Sequence, residues 1–513
     1  MPIEQPHTDA LARIAKGYGF EIAPPDLDIY AAAVSGLLQS WDTVEQLYVD
    51  VAPKAPTRTW NAPSEEDNPL GAWYVTSDIQ EVTDGVLAGK RIAVKDNTSV
   101  AGLPMMNGSR TLEGFVPDED ATVIRRLLEA GAVIAGKSVC EDLCFSGGSH
   151  TSKPAPVRNP WNPARSAGGS SSGSAALVAV GEVDMAVACD QGGSIRMPAA
   201  WSGIVGHKPT FGLVPYTGVF PIEQSIDHVG PVARTVADAA LMLTVIAGPD
   251  GADPRQPEII DPVDYLQALE NPTTGMRIGV VTEGFGRVNS NLDSDAVVRA
   301  AVDTLCTAGL QAKEISIPWH LHASAIWDVI ATEGATWQMV DGNAYGMNWK
   351  GRYDPKLIAY YGAQWRRDAT KFSETVKMVA LAGRYALETN YGRHYAMARN
   401  LEAALTEAYD AALDVYDVLV MPTMPMLPTL LPQADASPDE VIGRALEMIG
   451  NTCPFDVTGH PACTVPAGQV DGLPVGLMII GRKFDDATVL RVAQTFETAV
   501  GGFPSPNQMR SNA

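Results

Sequence analysis

Apolar residues in the first 85 positions recur at three-to-four spacing in "DALARIAKGYGF" and "LDIYAAAVSGLLQSWDTVEQLYVDV", a pattern that predicts helices. Asp26 or Asp28 stands where the second helix needs its N-cap. The Pro- and Asn-rich stretch "APKAPTRTWNAPSEEDNP" then reads as a boundary loop. From about residue 86 the texture changes. "RIAVKDN" predicts a short strand, and "ATVIRRLLEAGAVIAGKS" a helix that ends at Gly131 and leads into a strand, the unit from which α/β sheets are built. "VDMAVACDQGGS", "GMRIGVVTEGFG" and "YDVLVMPTMP" predict further strands. "DAVVRAAVDTLCTAG" and "DATVLRVAQTFETAV" predict amphipathic helices, and helical patterns dominate from about 325 to 415. The expectation is an α/β catalytic domain over residues 86–513 behind a small all-helical domain over 1–85.

Composition narrows the partners. The 513 residues carry a net charge of −23, which disfavours nucleic acid and anionic membrane as dominant partners. Apolar residues make up 46% and no run of about 18 of them occurs, so no membrane span is expected. The N-terminus lacks a basic segment followed by an apolar stretch, and 6 cysteines are too few for a disulfide framework. The expectation is a cytoplasmic protein with reduced thiols. Cys140 and Cys144 form a C-x3-C without a second pair, and His320 and His322 in "WHLHA" lack a nearby carboxylate or Cys partner in sequence, so no metal is expected.

The chemistry must explain "SAGGSSSGSAALVAV", where small residues run straight into an apolar helical pattern. A phosphate loop is one reading, yet Ser174 and Ala175 stand where a Walker loop needs Lys and Ser/Thr. "IAVKD" imitates a kinase strand without the catalytic loop that should follow, and "TEGFGRVN" is half of a dinucleotide fingerprint. A nucleophile reading accounts for more. Gly192-Gly193-Ser194 ends a predicted strand, and glycines before a serine let backbone N–H groups converge on an oxyanion. The serine needs a base, and no histidine stands in a recognisable triad context. Lys95 ends the strand "RIAVK", where burial favours the neutral amine. Taken alone, Lys95 reads as an ion-pair lysine with Asp96, and Ser194 as a turn residue; their joint presence with the serine loop favours catalysis.

The block "GGSSSGSAALVAVGEVDMAVACDQGGSIRMPAAWSGIVGHKPTFGLVP" resembles the signature of the amidase signature family of serine hydrolases. The likeness runs from "GKRIAVKDNTSVAGLPMMNGSR" to "GLPVGLMIIGRKFDDATVLRVA", about residues 86 to 500. The helical start, "LGAWYVT" and "PWHLHA" resemble its branch of bacterial enantioselective amidases associated with nitrile breakdown. The resemblance implies a large mixed twisted β-sheet core flanked by helices. It also implies a Ser-Ser-Lys triad: Ser194 as nucleophile, Ser170 as bridge after a cis Gly169–Ser170 bond, and Lys95 as base. Ser171 lies beside the bridge as a further donor. The oxyanion hole falls on Gln191, Gly192 and Gly193, with Asp190 and Arg196 in support. Phe145, Trp327 and Ile449 match pocket positions, whose bland reading is core packing.

Two departures stand out. Ser172 replaces a usual glycine, which costs strain if that position needs positive φ, and Cys189 occupies a usual Thr or Gly position and reads as an inert core thiol. The function implied is hydrolysis of small neutral aliphatic or aromatic amides, without cofactor or metal, by a homodimer joined through its N-terminal helices. Carbamate or anilide hydrolysis uses the same machinery. Part of a transamidation complex acting on charged transfer RNA, or a non-catalytic binding protein, are the readings of another class.

Overall fold

Twelve strands, among the residues that are described, join in one mixed sheet whose order places distant parts of the sequence side by side. The computed structural model describes residues 4–345 and 350–506. In chain order the strands are β1 (Trp60–Asn61), β2 (Trp73–Ile79), β3 (Arg91–Lys95), β4 (Val133–Ser138), β5 (Met185–Asp190) and β6 (Val205–Lys208). There follow β7 (His228–Ala233), β8 (Arg277–Val281), β9 (Gln311–Ile315), β10 (Val418–Pro422), β11 (Ala462–Val470) and β12 (Leu473–Ile480). The spatial order is β1-β2-β4-β3-β5-β7-β6-β11-β12-β10-β8-β9. β3 runs parallel to β4 and β5, and β8 parallel to β9 and β10, while β2/β4, β5/β7 and β11/β12 are antiparallel. The expected mixed sheet with flanking helices is the fold of this chain.

Central strands buried on both faces read as unbroken apolar runs, and β5, "MAVACD", is buried at every position. Helix Thr122–Glu129 between β3 and β4 follows the usual crossover of a parallel pair. The serine-rich run finds its explanation here. Its last residues form helix Ser172–Val180, buried from Ser172 to Ala179. A Cβ at Gly173 would lie 2.4 Å from Ala72 O and 2.7 Å from Val139 N, so only glycine lets this helix press so close on the chain. Ser172 sits inside the helix and its φ is not positive; the left-handed residue is Gly168, with φ +78°. The serine therefore costs no backbone strain.

The boundary differs from the one expected. The chain divides into two compact units, Met1–Ala55 and Pro56–Ala513. Residues 56–85 carry β1 and β2, which pair with the sheet, rather than completing a helical domain. In the first unit, helices Thr8–Tyr18 and Leu27–Val49 form as expected. Asp26 precedes the second helix but makes no side-chain cap bond, because a 3₁₀ turn over Pro24–Asp26 already holds it in helical geometry. Ile29, Leu37, Trp41, Val44 and Leu47 of that helix are exposed. No helix among the described residues is long and apolar enough to cross a membrane.

Candidate active site

Because β3 and β5 are parallel neighbours, Lys95 at the end of one and the Gln191–Ser194 turn after the other emerge at the same edge. The third segment is the serine loop. Its Ser171 N–H donates to Ser194 O at 3.3 Å, and Ser171 Oγ donates to Cys189 O at 3.1 Å. Ser170 O accepts from Glu141 N at 3.2 Å, and the Gly169–Ser170 peptide is cis. Sequence-distant residues thus meet: Lys95 Nζ donates to Ser170 Oγ at 2.7 Å and lies 3.4 Å from Cys189 O. Ser194 lines the adjacent cavity, and its hydroxyl takes no hydrogen-bond partner among the described residues. The Ser170–Ser194 hydroxyl contact is not made in this structure; the two are tied through backbone at Ser171.

Asp96 is not the partner of Lys95. Lys137 on β4 holds it, Nζ to Oδ1 at 2.9 Å, and the other oxygen accepts Met106 N–H at 2.8 Å and Asn107 N–H at 2.7 Å. Lys95 faces thiols instead. Burial disfavours its ammonium, but the neighbouring thiols, Cys144 foremost, oppose burial and carry Lys95 above the ordinary lysine value. Burial pushes Cys189 up to about 12 and Cys140 well above a normal thiol, so both keep their protons at neutral pH. Burial also raises Cys144, but hydrogen bonding with Cys140 and the charge of Lys95 outweigh it and bring this thiol to about 7. The neutral amine expected from burial is thus opposed by the neighbouring thiols, and the Lys95 ammonium is favoured instead. The sequence carries this signal as the C-x3-C pair, whose spacing by itself raises only the question of a metal.

The turn after β5 is fixed from several sides. Asp190 accepts Ile195 N–H at 3.0 Å, Arg196 Nε at 2.9 Å and the N–H of Gly193. Arg196 also donates to Asp456 Oδ2 and to Thr452 O, each at 2.8 Å. Burial alone would raise Asp190, but the Arg196 guanidinium holds it well below the carboxylate range, while burial and the charge of Asp190 push Asp456 well above it. The Gly193 N–H, expected in the oxyanion hole, is thus spent on Asp190. The N–H groups of Gly192 and Ser194 meet no acceptor among the described residues. The Gln191 side chain donates to Tyr216 Oη at 2.9 Å, and its carbonyl accepts the Trp327 indole N–H at 2.6 Å.

Ser194 opens on a cavity of about 350 Å³ walled by Phe145, Trp327, Ile449, Ile222, Ile226 and Met197. The first three are thus brought together, with the Phe145 and Trp327 ring centroids 6.3 Å apart. A second cavity of about 370 Å³, beside Arg255 and Tyr216, includes none of the loop serines. His320 and His322 do not converge: His320 is buried between Tyr409 Oη (2.7 Å) and Asn451 Oδ1 (3.2 Å), and His322 is exposed. No group of three or more His, Cys, Asp or Glu side chains suited to a metal occurs among the described residues.

Comparison with known proteins places the chain among relatives of one family. The family model described as Amidase matches residues 68–490. An enantioselective amidase of Rhodococcus rhodochrous is 54% identical over 510 residues, covering 99% of this chain and 98% of that protein. A glutamyl-tRNA(Gln) amidotransferase subunit of Exiguobacterium sibiricum is 39% identical over 424 residues, 82% of this chain and 86% of its own. Among solved structures, the corresponding subunit of Thermotoga maritima superposes with a TM-score of 0.72 at 29% identity, covering 86% of this chain and 91% of that one. A peptide amidase of Stenotrophomonas maltophilia gives 0.66 at 31% identity, with 82% and 85% covered.

Proposed function

The chain belongs to the amidase signature family and is an amide hydrolase; on that basis we propose that it cleaves small neutral aliphatic or aromatic amides to a carboxylic acid and ammonia or an amine through a Ser-Ser-Lys acyl-enzyme. The observation that carries this reading is the 2.7 Å Lys95–Ser170 hydrogen bond beside a cavity lined by the unengaged hydroxyl of Ser194. In the proposed reaction, amine Lys95 takes a proton through Ser170 while Ser194 Oγ bonds to the substrate carbonyl carbon. The negative oxygen falls to the free N–H groups of Gly192 and Ser194; one such donor is typically worth about 3 kcal/mol. The C–N bond breaks as the proton returns to the leaving nitrogen, and water, deprotonated along the same route, releases the acid. The apolar wall of Phe145, Trp327 and Ile449 suits an uncharged acyl group.

The test is intact-protein mass spectrometry after fluorophosphonate treatment, with benzamide turnover measured alongside. One adduct in the wild type, absent in Ser194→Ala together with turnover, is expected. An adduct and turnover that survive in Ser194→Ala overturn the nucleophile assignment. An anilide and ethyl carbamate beside benzamide separate amide, anilide and carbamate hydrolysis. A transamidation role is disfavoured by charge and by the match to an amidase over 99% of this chain at 54% identity, against 82% of this chain at 39% for the amidotransferase subunit. We assign residues 1–55, rather than 1–85, to self-association into a homodimer, on the exposed apolar face of helix Leu27–Val49. Light scattering of Leu37→Lys/Trp41→Ser should then give the monomer mass, and an unchanged mass removes the assignment.

A further inference from the structure

We infer that Thr452 is a positioning residue that fixes the plane of the Gly192–Gly193 peptide and thereby aims the backbone donors of the oxyanion turn. The inference rests on the proposed reading of that turn. Thr452 Oγ1 lies 2.6 Å from Gly192 O and 3.1 Å from Ile449 O, and a hydroxyl has one proton, so the shorter contact takes it. A peptide is planar, with its C=O and N–H pointing opposite ways. Thr452 holds the carbonyl end of this plane and Asp190 the Gly193 N–H end, so the unit is clamped at both ends. Two adjacent glycines would otherwise leave it the freest segment of the turn. Trp327 holds the preceding carbonyl, that of Gln191. The glycines are what let these side chains approach: a Cβ at Gly192 would lie 2.7 Å from the Trp327 ring, and one at Gly193 2.3 Å from Thr452 Oγ1.

Thr452 is itself firmly seated. Its N–H donates to Ile449 O at 3.0 Å, and its carbonyl accepts Arg196 Nη1 at 2.8 Å, from the helix that begins just after Ser194. The neighbouring Asn451 Nδ2 donates to Pro422 O at 2.9 Å and to Gly284 O at 2.8 Å. The end of β10 is thus linked through residues 451 and 452 to the turn after β5. Removing the hydroxyl leaves Gly192 O buried without its donor and lets the plane rotate, which carries the Gly192 and Ser194 N–H groups off target. The acyl pocket walls stay in place, so the loss should fall on kcat rather than KM.

The test measures kcat and KM for benzamide, melting temperature, and inhibition by phenylboronic acid, whose tetrahedral adduct on a serine places an oxygen where the oxyanion forms. Removal of one direct donor lowers kcat by about 100- to 1000-fold, so a misaimed set in Thr452→Val should cost about 10- to 100-fold. KM should stay within about threefold, boronate affinity should fall in step with kcat, and Thr452→Ser should restore both. The inference is overturned if Thr452→Val keeps wild-type kcat, if Thr452→Ser is as damaged as Thr452→Val, or if kcat falls with boronate affinity intact. Should Thr452→Val not fold, Thr452→Cys decides: its weaker donor should fall below Thr452→Ser in both readouts, and equality overturns the inference. Failure of the underlying reading shows elsewhere, as benzamide turnover by Ser194→Ala.

Discussion

Lys137 Nζ lies 2.9 Å from Asp96 Oδ1 with both side chains buried, so the carboxylate next in sequence to Lys95 is engaged by the neighbouring strand. That exchange leaves Lys95 hydrogen-bonded to Ser170 and beside the Cys144 and Cys189 thiols rather than paired with Asp96. Burial pushes the Asp96 carboxyl up, with Lys137 opposing. Removing one member of a buried pair typically costs about 3–5 kcal/mol, because the other is left unpaired. Lys137→Met should therefore lose stability on that scale by denaturant unfolding. Lys137→Met/Asp96→Asn should recover part of it, and an unchanged unfolding midpoint in the single variant would contradict this account.

The Lys95–Cys144 relationship sets an expectation for pH. The amine form of Lys95 is the proposed base, so activity rises as pH passes through its pKa. Thiolate at Cys144, whose value sits at about 7, holds the proton on Lys95. Cys144→Ala removes that anion, lowers the Lys95 pKa, and should move the acidic limb of kcat/KM to lower pH. A limb that stays in place, or moves up, would show that Cys144 does not govern the lysine.

His320 supplies a stability signature. Burial lowers it to about 4, against about 6.5 for a free histidine. Between these values the unfolded chain binds the proton and the folded chain does not, so stability falls with decreasing pH. The contribution is fully present above about pH 6.5 and declines by about 3 kcal/mol on reaching pH 4. His320→Gln should flatten this part of the stability–pH curve; parallel curves for the two proteins would refute it.

Gly193→Ala tests the close approach at the turn. Its φ of +136° disfavours any side chain, and a Cβ would sit 2.3 Å from Thr452 Oγ1 and 2.7 Å from Thr452 Cβ. Turnover of benzamide should drop by about 100-fold or more, on the scale of losing an oxyanion donor. Wild-type turnover in this variant would mean that the turn can relax without cost.

Elements whose pattern is local are legible in the chain alone. β3, β5, β8 and β10 and the helices at Leu292–Thr307 and Asp486–Val500 form where their apolar runs and periodicity place them. The family is legible too, through a block long enough to be specific, and with it Lys95, Ser170 and Ser194 as candidates. β2 is a strand inside the segment expected to be helical, and its "WYVTSDI" does alternate between its two faces with period two. Partnership, by contrast, is settled in three dimensions. Which lysine pairs with Asp96, which thiol touches the Lys95 field, and which N–H of the Gly-Gly turn is spent on Asp190 all depend on strand order and register. Residues 95, 170 and 452 lie on segments far apart in the chain, and local propensity carries no term for contacts between them. The reason for the paired glycines is likewise tertiary: space for Trp327 and Thr452, two side chains from distant segments that rest on them.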